Sequence, residues 1–243
     1  MLKLDALTKS FSDRPAVKDL SLSLQAGEVL GFLGQNGAGK STTMRMVAGV
    51  LEPDSGDATI VGHSILTDRA QAQARLGYLP EGAPIYPDMT PLGFLRFLAD
   101  AHGLSRLSRK ENTDRVIAQT RITDITHQTM ATLSKGYRRR VALAGALIHN
   151  PDVLLLDEPT DGLDPIQKRA VRALIAHMSK DKAIVISTHS LEDVLAMCSR
   201  VLIIDRGECV ADDTPAGLAS RHQGDLEAAF ICLSKPGEAG APE

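Results

Sequence analysis

The chain has 243 residues, room for one large domain or one and a half small ones. Its 43% hydrophobic and 23% charged content is that of an ordinary globular protein, and with 3% aromatics and no tryptophan the core must be aliphatic. A net charge of −3 and a pI near 6.2 leave no basic footprint for nucleic acid, and no apolar run approaches the roughly 18 residues of a membrane span. The start, M-L-K-L-D-A-L-T-K, puts an acidic residue where a signal peptide needs an apolar core. Cys198, Cys209 and Cys232 lack metal-ligand spacing and read as reduced thiols of a cytosolic protein.

Leu2, Leu4 and Leu7 alternate roughly with polar residues and predict an edge strand. Val17 to Leu24 (V-K-D-L-S-L-S-L) alternates strictly, as a half-buried antiparallel strand does, so a small antiparallel sheet opens the chain. Phe11 sits between them in the polar turn K-S-F-S-D-R-P-A. Two readings stand for it: a ring that stacks on a nucleobase, or one folded back on the sheet.

Glu28 to Leu33 (E-V-L-G-F-L) reads as a buried strand, and Lys40 to Val50 carries Met44, Val47, Ala48 and then Leu51 at helical spacing. Between them runs Gly34-Gln35-Asn36-Gly37-Ala38-Gly39-Lys40-Ser41-Thr42, which fits the phosphate-binding loop template. Its glycines let successive backbone N–H groups turn inward around anionic oxygens. The Lys40 ammonium is placed for β- and γ-phosphates and the Ser41 hydroxyl for Mg²⁺. Strand, glycine loop and helix N-terminus together aim a positive dipole end at phosphate, so the chain is expected to bind a nucleoside triphosphate.

Beyond E-P-D-S-G-D, Ala58 to Val61 predicts a strand and Gln71 to Leu76 a short helix. Gly77 to Pro80 then returns a strand to the core, and Glu81 follows where that strand should end near a γ-phosphate. From Thr90 to Asn150 almost everything reads as helix, with one segment around Leu92 to Leu98, one around Val116 and Ile117, and one over Val141 to Ile148. That block reads as an inserted helical subdomain. Val153 to Leu156 is a buried central strand ending in Asp157-Glu158, where open α/β sheets place ligands. Asp157 is placed to accept from the Mg²⁺ water shell and Glu158 to polarise an attacking water. Two adjacent buried carboxylates need a compensating cation, and the local sequence supplies no arginine.

Pro165 to Ser179 predicts a helix with Ile166, Ala170, Val171, Leu174, Ile175 and Met178 on its apolar face. Ala183 to Ile186 is a further buried strand, and His189 follows its end as Asp157-Glu158 follows theirs, which predicts a γ-phosphate contact. Val201 to Ile204, then Asp205-Arg206-Gly207-Glu208, reads as a closing hairpin. Leu218 and Leu226 to Phe230 predict short terminal helices, and Lys235 to Glu243 a disordered tail.

These motifs, in this order, resemble the ATP-binding cassette (ABC) ATPases, and in particular a stand-alone transporter subunit; the resemblance runs from Leu2 to about Phe230. It implies an α/β fold: a P-loop NTPase (RecA-like) core with an N-terminal antiparallel β-subdomain and an inserted α-helical subdomain. Residues 1–85 and 151–234 would form the nucleotide-binding core, and residues 86–150 the helical part. In family terms Gly34 to Ser41 is the Walker A loop, Val153 to Asp157 the Walker B strand, Glu158 the catalytic base and His189 the switch histidine. Phe11 matches the adenine-stacking aromatic, Gly162-Leu163-Asp164 the D-loop, and Glu81 the Q-loop glutamine that approaches the metal. Leu133 to Arg138 (L-S-K-G-Y-R) stands where the signature Leu-Ser-Gly-Gly-Gln belongs, so Ser134 and Gly136 would cap the γ-phosphate bound by a second copy. Lys135, Tyr137, Glu81 and Phe11 depart from the commonest residues, and Y-L-P-E-G with L-S-K-G-Y-R-R-R looks most like the export-type (ABC-2-like) branch. The resemblance therefore implies ATP and Mg²⁺, a head-to-tail dimer, a separate polytopic permease and a peripheral place on the cytoplasmic face of the plasma membrane. Two rivals explain less. A soluble cassette acting on ribosomes or DNA would carry a second cassette, a coiled coil or a zinc insertion, and a P-loop kinase would leave L-S-K-G-Y-R and His189 without a role.

Overall fold

The computed structural model describes residues 1–12, 14–82 and 85–234; the expected disordered tail, Lys235–Glu243, lies outside them. Two sheets organise the chain. In the first, β1 (Leu2–Phe11) pairs antiparallel with β2 (Arg14–Leu24) on one side and β4 (Ser55–Ile60) on the other, and β5 (His63–Ser64) completes the order β2-β1-β4-β5. β1 is thus an interior strand, not the edge strand its alternation predicts. Its second neighbour comes from some fifty residues downstream, and pairing at that range leaves no mark on the pattern of the strand itself.

The second sheet has the order β10-β9-β3-β8-β7-β6, from β3 (Val29–Leu33), β6 (Leu76–Leu79), β7 (Val153–Asp157), β8 (Ala183–Thr188), β9 (Arg200–Asp205) and β10 (Glu208–Asp213). All its pairings are parallel except the closing β9–β10 hairpin. β3, β7 and β8 are buried along their whole length, as apolar runs covered on both faces must be. Their side chains divide by period two between two cores. Leu33, Leu154, Leu156, Ile184 and Ile186 face the helical block, while Leu30, Phe32, Leu155 and Val185 face the antiparallel sheet and the helix after the glycine loop. Register sets the functional edge: Leu33 pairs with Thr188 and Asp157 with Ser187, so three chain segments leave the sheet side by side at its carboxyl end.

The first two helices start without side-chain caps. α1 (Lys40–Val47) stops short of the predicted Val50, because the chain turns at Gly49 with φ +65°. α2 (Arg69–Ala74) starts two residues before the expected helix and releases Leu76 to β6. In the helical block, α3 (Pro91–Ala101), α4 (Arg106–Thr120) and α5 (Lys135–Leu147) are capped by the side chains of Thr90, Ser105 and Ser134. α5 starts at Lys135, ahead of the apolar stretch Val141 to Ile148, and Ser134 caps it by accepting from the Tyr137 N–H. α6 (Pro165–Met178) and α7 (Leu191–Met197) follow, capped by Asp164 and Ser190, then α8 (Pro215–Ser220) and α9 (Leu226–Leu233). Ile166 does not join the buried face of α6 but is 80% exposed. At about 100° per residue it lies well around the helix from the buried stripe of Val171, Leu174, Ile175 and Met178. Among the described residues no helix is long and apolar enough to cross a membrane.

α5 lies directly on β6. A Cβ added at Gly77 would stand 2.4 Å from the Ala146 carbonyl oxygen and 2.8 Å from the Pro151 ring, so only glycine lets helix and strand approach this closely. Gly77→Ala should therefore lower the unfolding free energy by about 1–3 kcal/mol, the usual cost of overpacking, measured by urea titration. An unchanged midpoint and slope would show that the contact yields freely.

Candidate functional site

A cavity of about 670 Å³ opens at the carboxyl edge of the parallel sheet. Gly34, Gln35, Asn36, Gly37, Gly39, Lys40, Ser41 and Thr42 line it from the loop after β3; Ala38 is buried behind the loop in the second core. Gly39 has φ +112°, and a Cβ there would stand 2.4 Å from the Ala16 carbonyl oxygen, so both its conformation and its space require glycine. The first turn of α1 has no side-chain cap and no acidic residue, which leaves its N–H groups and positive dipole end for an anion. Lys40 is buried and donates to the carbonyls of Gly34 (2.5 Å) and Gln35 (3.0 Å). Burial pulls its pKa below the ordinary lysine value, while Glu158, Asp157 and Glu81 pull the other way and favour the ammonium.

Across the cavity stand Glu81, Asp157, Glu158 and His189, together with Asp161, Ser187 and Phe230. Asp157 is 3% exposed at the end of β7. Glu158 follows in the left-handed region with φ +49°, a conformation that costs a non-glycine residue energy and turns the chain sharply off the strand. Its N–H donates to the Ser187 carbonyl at 2.9 Å, which ties the turn to β8. The Glu158 carboxylate accepts from the His189 backbone N–H (3.1 Å) and from Thr188 Oγ1 (3.4 Å), and its Oε1 lies 2.7 Å from His189 Nδ1. Glu158 is thus fixed by the strand beside it, while the His189 ring that meets it is 70% exposed.

The compensating cation is not local. Arg139 on α5 is 5% exposed and donates to the carbonyls of Pro80 (2.9 Å), Glu81 (2.8 Å), Asp157 and Glu158 (2.7 Å). It binds backbone, not carboxylates, and its charge faces Asp157 and Glu158 across a short distance. The Arg138-Arg139-Arg140 run conceals it, because only the helical register of α5 turns the second and third inward and leaves the first exposed. Arg140 is buried against the Thr120–Arg121 carbonyls with its guanidinium 4.3 Å from the centre of the Tyr137 ring.

Three residues expected to touch nucleotide do not line this cavity. Ser134 and Gly136 lie at the start of α5, where Ser134 caps the helix and Gly136 packs so closely that a Cβ would meet Gln167 Oε1 at 2.4 Å. Lys135 between them pairs with Asp161 at 2.8 Å. Phe11, at the end of β1 opposite Arg14, is 50% exposed and so is not folded into the sheet. Sequence reading missed Arg139, Asp161, Ser187 and Phe230. Ser187 adjoins the strand end that marks His189, and Asp161 adjoins Gly162-Leu163-Asp164, so those two had a local signal. Phe230 had none.

The residues fit a magnesium nucleotide. Ser187 Oγ is buried beside the cavity without a hydrogen-bond partner, a group waiting for a polar ligand. Among the described residues no group of three or more His, Cys, Asp or Glu side chains converges as a ready metal cage. Magnesium does not need one, since it is held by one or two carboxylates, waters and substrate phosphates; Ser41, Asp157 and Glu81 provide such oxygens on the cavity wall.

The sequence model of the ABC transporter family matches residues 17–161. The ABC transporter ATP-binding protein NatA of Bacillus subtilis (strain 168) is 37% identical over 242 residues, covering 97% of this chain and 98% of the relative. A solved structure described as the ATP-binding subunit of an ABC transporter superposes with a TM-score of 0.89 at 26% identity, covering 97% of this chain and 100% of the other. The dimeric structure of a bacterial ABC transporter cassette gives 0.81 at 22% identity over 88% of this chain and 98% of the other, a likeness of fold alone. With more than half of its length matched by the family and a relative 37% identical along nearly the whole of both chains, this chain belongs to the ABC transporter family.

Proposed function

We propose that the chain binds and hydrolyses ATP and drives a separate membrane permease, in the export direction. The observation that carries this reading is the Glu158 carboxylate, fixed by β8 and 2.7 Å from His189 Nδ1, on the wall of the cavity that the glycine loop and Lys40 enclose. Gly34, Gln35, Asn36, Gly37, Ala38, Gly39, Ser41 and Thr42 form the phosphate cradle through their backbone and the start of α1. Lys40 holds the β- and γ-phosphates once it leaves the Gly34 and Gln35 carbonyls. Glu158 takes a proton from the attacking water, and His189 steadies that carboxylate and the γ-phosphate. Ser41, Asp157 and Glu81 would hold Mg²⁺, which neutralises charge on the β- and γ-oxygens. Phe11 supplies an exposed ring for the adenine face.

Ser134 and Gly136 act in the site of a second copy, a head-to-tail arrangement supported by their absence from this chain's own cavity. The two-part organisation, 1–85 with 151–234 as nucleotide core and 86–150 as helical subdomain, gives the dimer one hydrolytic and one capping surface per chain. The permease meets the groove between these parts. That groove, about 500 Å³, is lined by Tyr78, Ile85, Tyr86, Phe94, Leu98 and His102, with Tyr86 53% exposed and edge-on to Phe97 at 5.8 Å. Attachment there would hold the chain peripherally on the cytoplasmic face of the plasma membrane. The export direction rests on the likeness of Y-L-P-E-G and L-S-K-G-Y-R-R-R to export-type cassettes.

Three experiments test the assignment. Glu158→Gln keeps size and hydrogen bonding but loses basicity, so it should bind ATP normally and hydrolyse at least about a hundredfold slower, within the range for a lost general base. It should also accumulate an ATP-bound dimer on size exclusion, and wild-type turnover would move the chemistry elsewhere. Phe11→Ala should weaken ATP binding by about 1–3 kcal/mol in a calorimetric titration while Phe11→Tyr leaves it nearly unchanged; equal affinity in all three chains would remove the ring from base recognition. Ser134→Ala and Lys40→Ala, each nearly inactive alone, should regain part of their activity when mixed, because a head-to-tail heterodimer gathers both lesions in one site. No recovery, with heterodimers shown to form and one intact site shown to turn over, would place Lys40 and Ser134 in the same chain's site.

A further inference from the structure

One wall of the nucleotide cavity belongs to none of the segments just assigned. Phe230, on α9, lines it together with Gln35, Lys40, Glu158 and His189. It lies about seventy residues beyond the part of the chain that the family model matches. The other lining residues come from the glycine loop, from Glu81, from Asp157 to Asp161 and from Ser187 to His189, and Phe11 is not among them. This is therefore the phosphate end of the site, and apart from His189 Phe230 is the one aromatic side chain among the residues that line it.

The ring is held there by a well-anchored helix. Asp225 caps α9 by accepting from the Glu227 and Ala228 N–H groups. Leu226 and Ala229 are buried in the core that also contains Val201, Ile203 and Leu218, and Phe230 packs half-buried at its edge. A phenyl ring offers no donor to a phosphate, and this one stands among the glycine-loop and carboxylate residues, not beside Phe11. It can displace water from the wall, and in a drier site Lys40 and His189 interact more strongly with a charged phosphate.

We propose that Phe230 is a positioning residue for ATP hydrolysis: α9 presents its ring as the apolar wall of the phosphate end, closing that end against water and bringing the C-terminal helix into contact with the nucleotide state. The proposal rests on the ATPase reading above and adds the terminal helix to the hydrolytic site.

The absence of tryptophan makes a direct test possible. Phe230→Trp places a single indole emitter at this wall in the full chain. Its emission should shift or quench on titration with ATP in magnesium buffer, reaching half its full change at the ATP concentration that half-fills the protein in equilibrium dialysis. The change should vanish when Lys40→Ala is added. Unchanged emission in a chain that dialysis shows to retain ATP removes the proposal and leaves the ATPase reading intact; a native chain that retains no ATP removes both. Kinetics separate positioning from packing. Phe230→Ala should lower kcat about fivefold to tenfold with KM within about twofold, as expected when water enters a site without loss of its phosphate ligands. Phe230→Leu should recover most of kcat, and Ile231→Ala, on the exposed side of the same helix, should change neither constant. A lower melting temperature with native kcat per folded molecule in Phe230→Ala would reduce the ring to a packing element and overturn the proposal.

Discussion

The structure depends on how two adjacent carboxylates are kept at the buried end of a parallel strand. Asp157 is all but inaccessible and Glu158 is largely buried, with 15% of its side chain exposed, and charge in such a place is costly unless something answers it. Lys40 answers from the glycine loop and Arg139 from α5, so each side of the cavity exists in part to balance the other. Arg139 does this without touching either carboxylate. It spends its donors on four backbone carbonyls, two in the segment that carries Glu81 and two from Asp157 and Glu158 themselves. Removing it would leave the buried Asp157 carbonyl without this donor, at about 1–3 kcal/mol, and loosen the three partly buried carbonyls beside it. The helical block is therefore fastened to the core at residues that line the cavity, Glu81, Asp157 and Glu158.

What the sequence disclosed and what it withheld divide along the range of the interactions. Strand, glycine loop and helix are consecutive, so residues 28 to 47 could be read locally, including the cradle itself. Val153 to Leu156 and Ala183 to Ile186 announced buried strands by unbroken apolar runs, and the carboxylate pair and His189 could be placed by where those strands end. Register then brought them together, through Asp157 opposite Ser187 and Leu33 opposite Thr188. β1 was misplaced because an alternating strand looks the same with one neighbour or two. Ile166 was misassigned because an apolar residue in the first helical turn counts toward a periodicity that only begins at Val171.

Arg139 and Phe230 were beyond reach for a stronger reason. Each acts on a segment far away in the chain, and each is embedded in a stretch with an adequate bland explanation. Three consecutive arginines on a helix look like a solvated face, and only packing of α5 on β6, made possible by Gly77, reveals that two of them are buried. A phenylalanine in L-E-A-A-F-I looks like core, and its neighbours Leu226 and Ala229 are core. Phe230 stands where the apolar stripe of α9 runs past the edge of that core and meets the cavity.

α5 then has two attachments of unequal strength, and the inequality fits the proposed shared site. Its middle is bound through Arg139, buried and multiply bonded. Its first turn is bound through Lys135 to Asp161, with the two side chains 68% and 49% exposed. A pair so open to solvent contributes about 0–1 kcal/mol and is readily exchanged. Asp161 also lines this chain's own cavity, so the weak contact lies between that cavity and the turn, Ser134 to Gly136, proposed to face a second copy. A strong bond at this turn would hold it to its own chain. In the proposed shared site a weak one would let an approaching phosphate compete for Lys135 and the N-terminal N–H groups of α5, while Arg139 keeps the middle of the helix tied to the Glu81 and Glu158 carbonyls. The helix can thus change partners at one end without losing its grip on the chemistry at its centre.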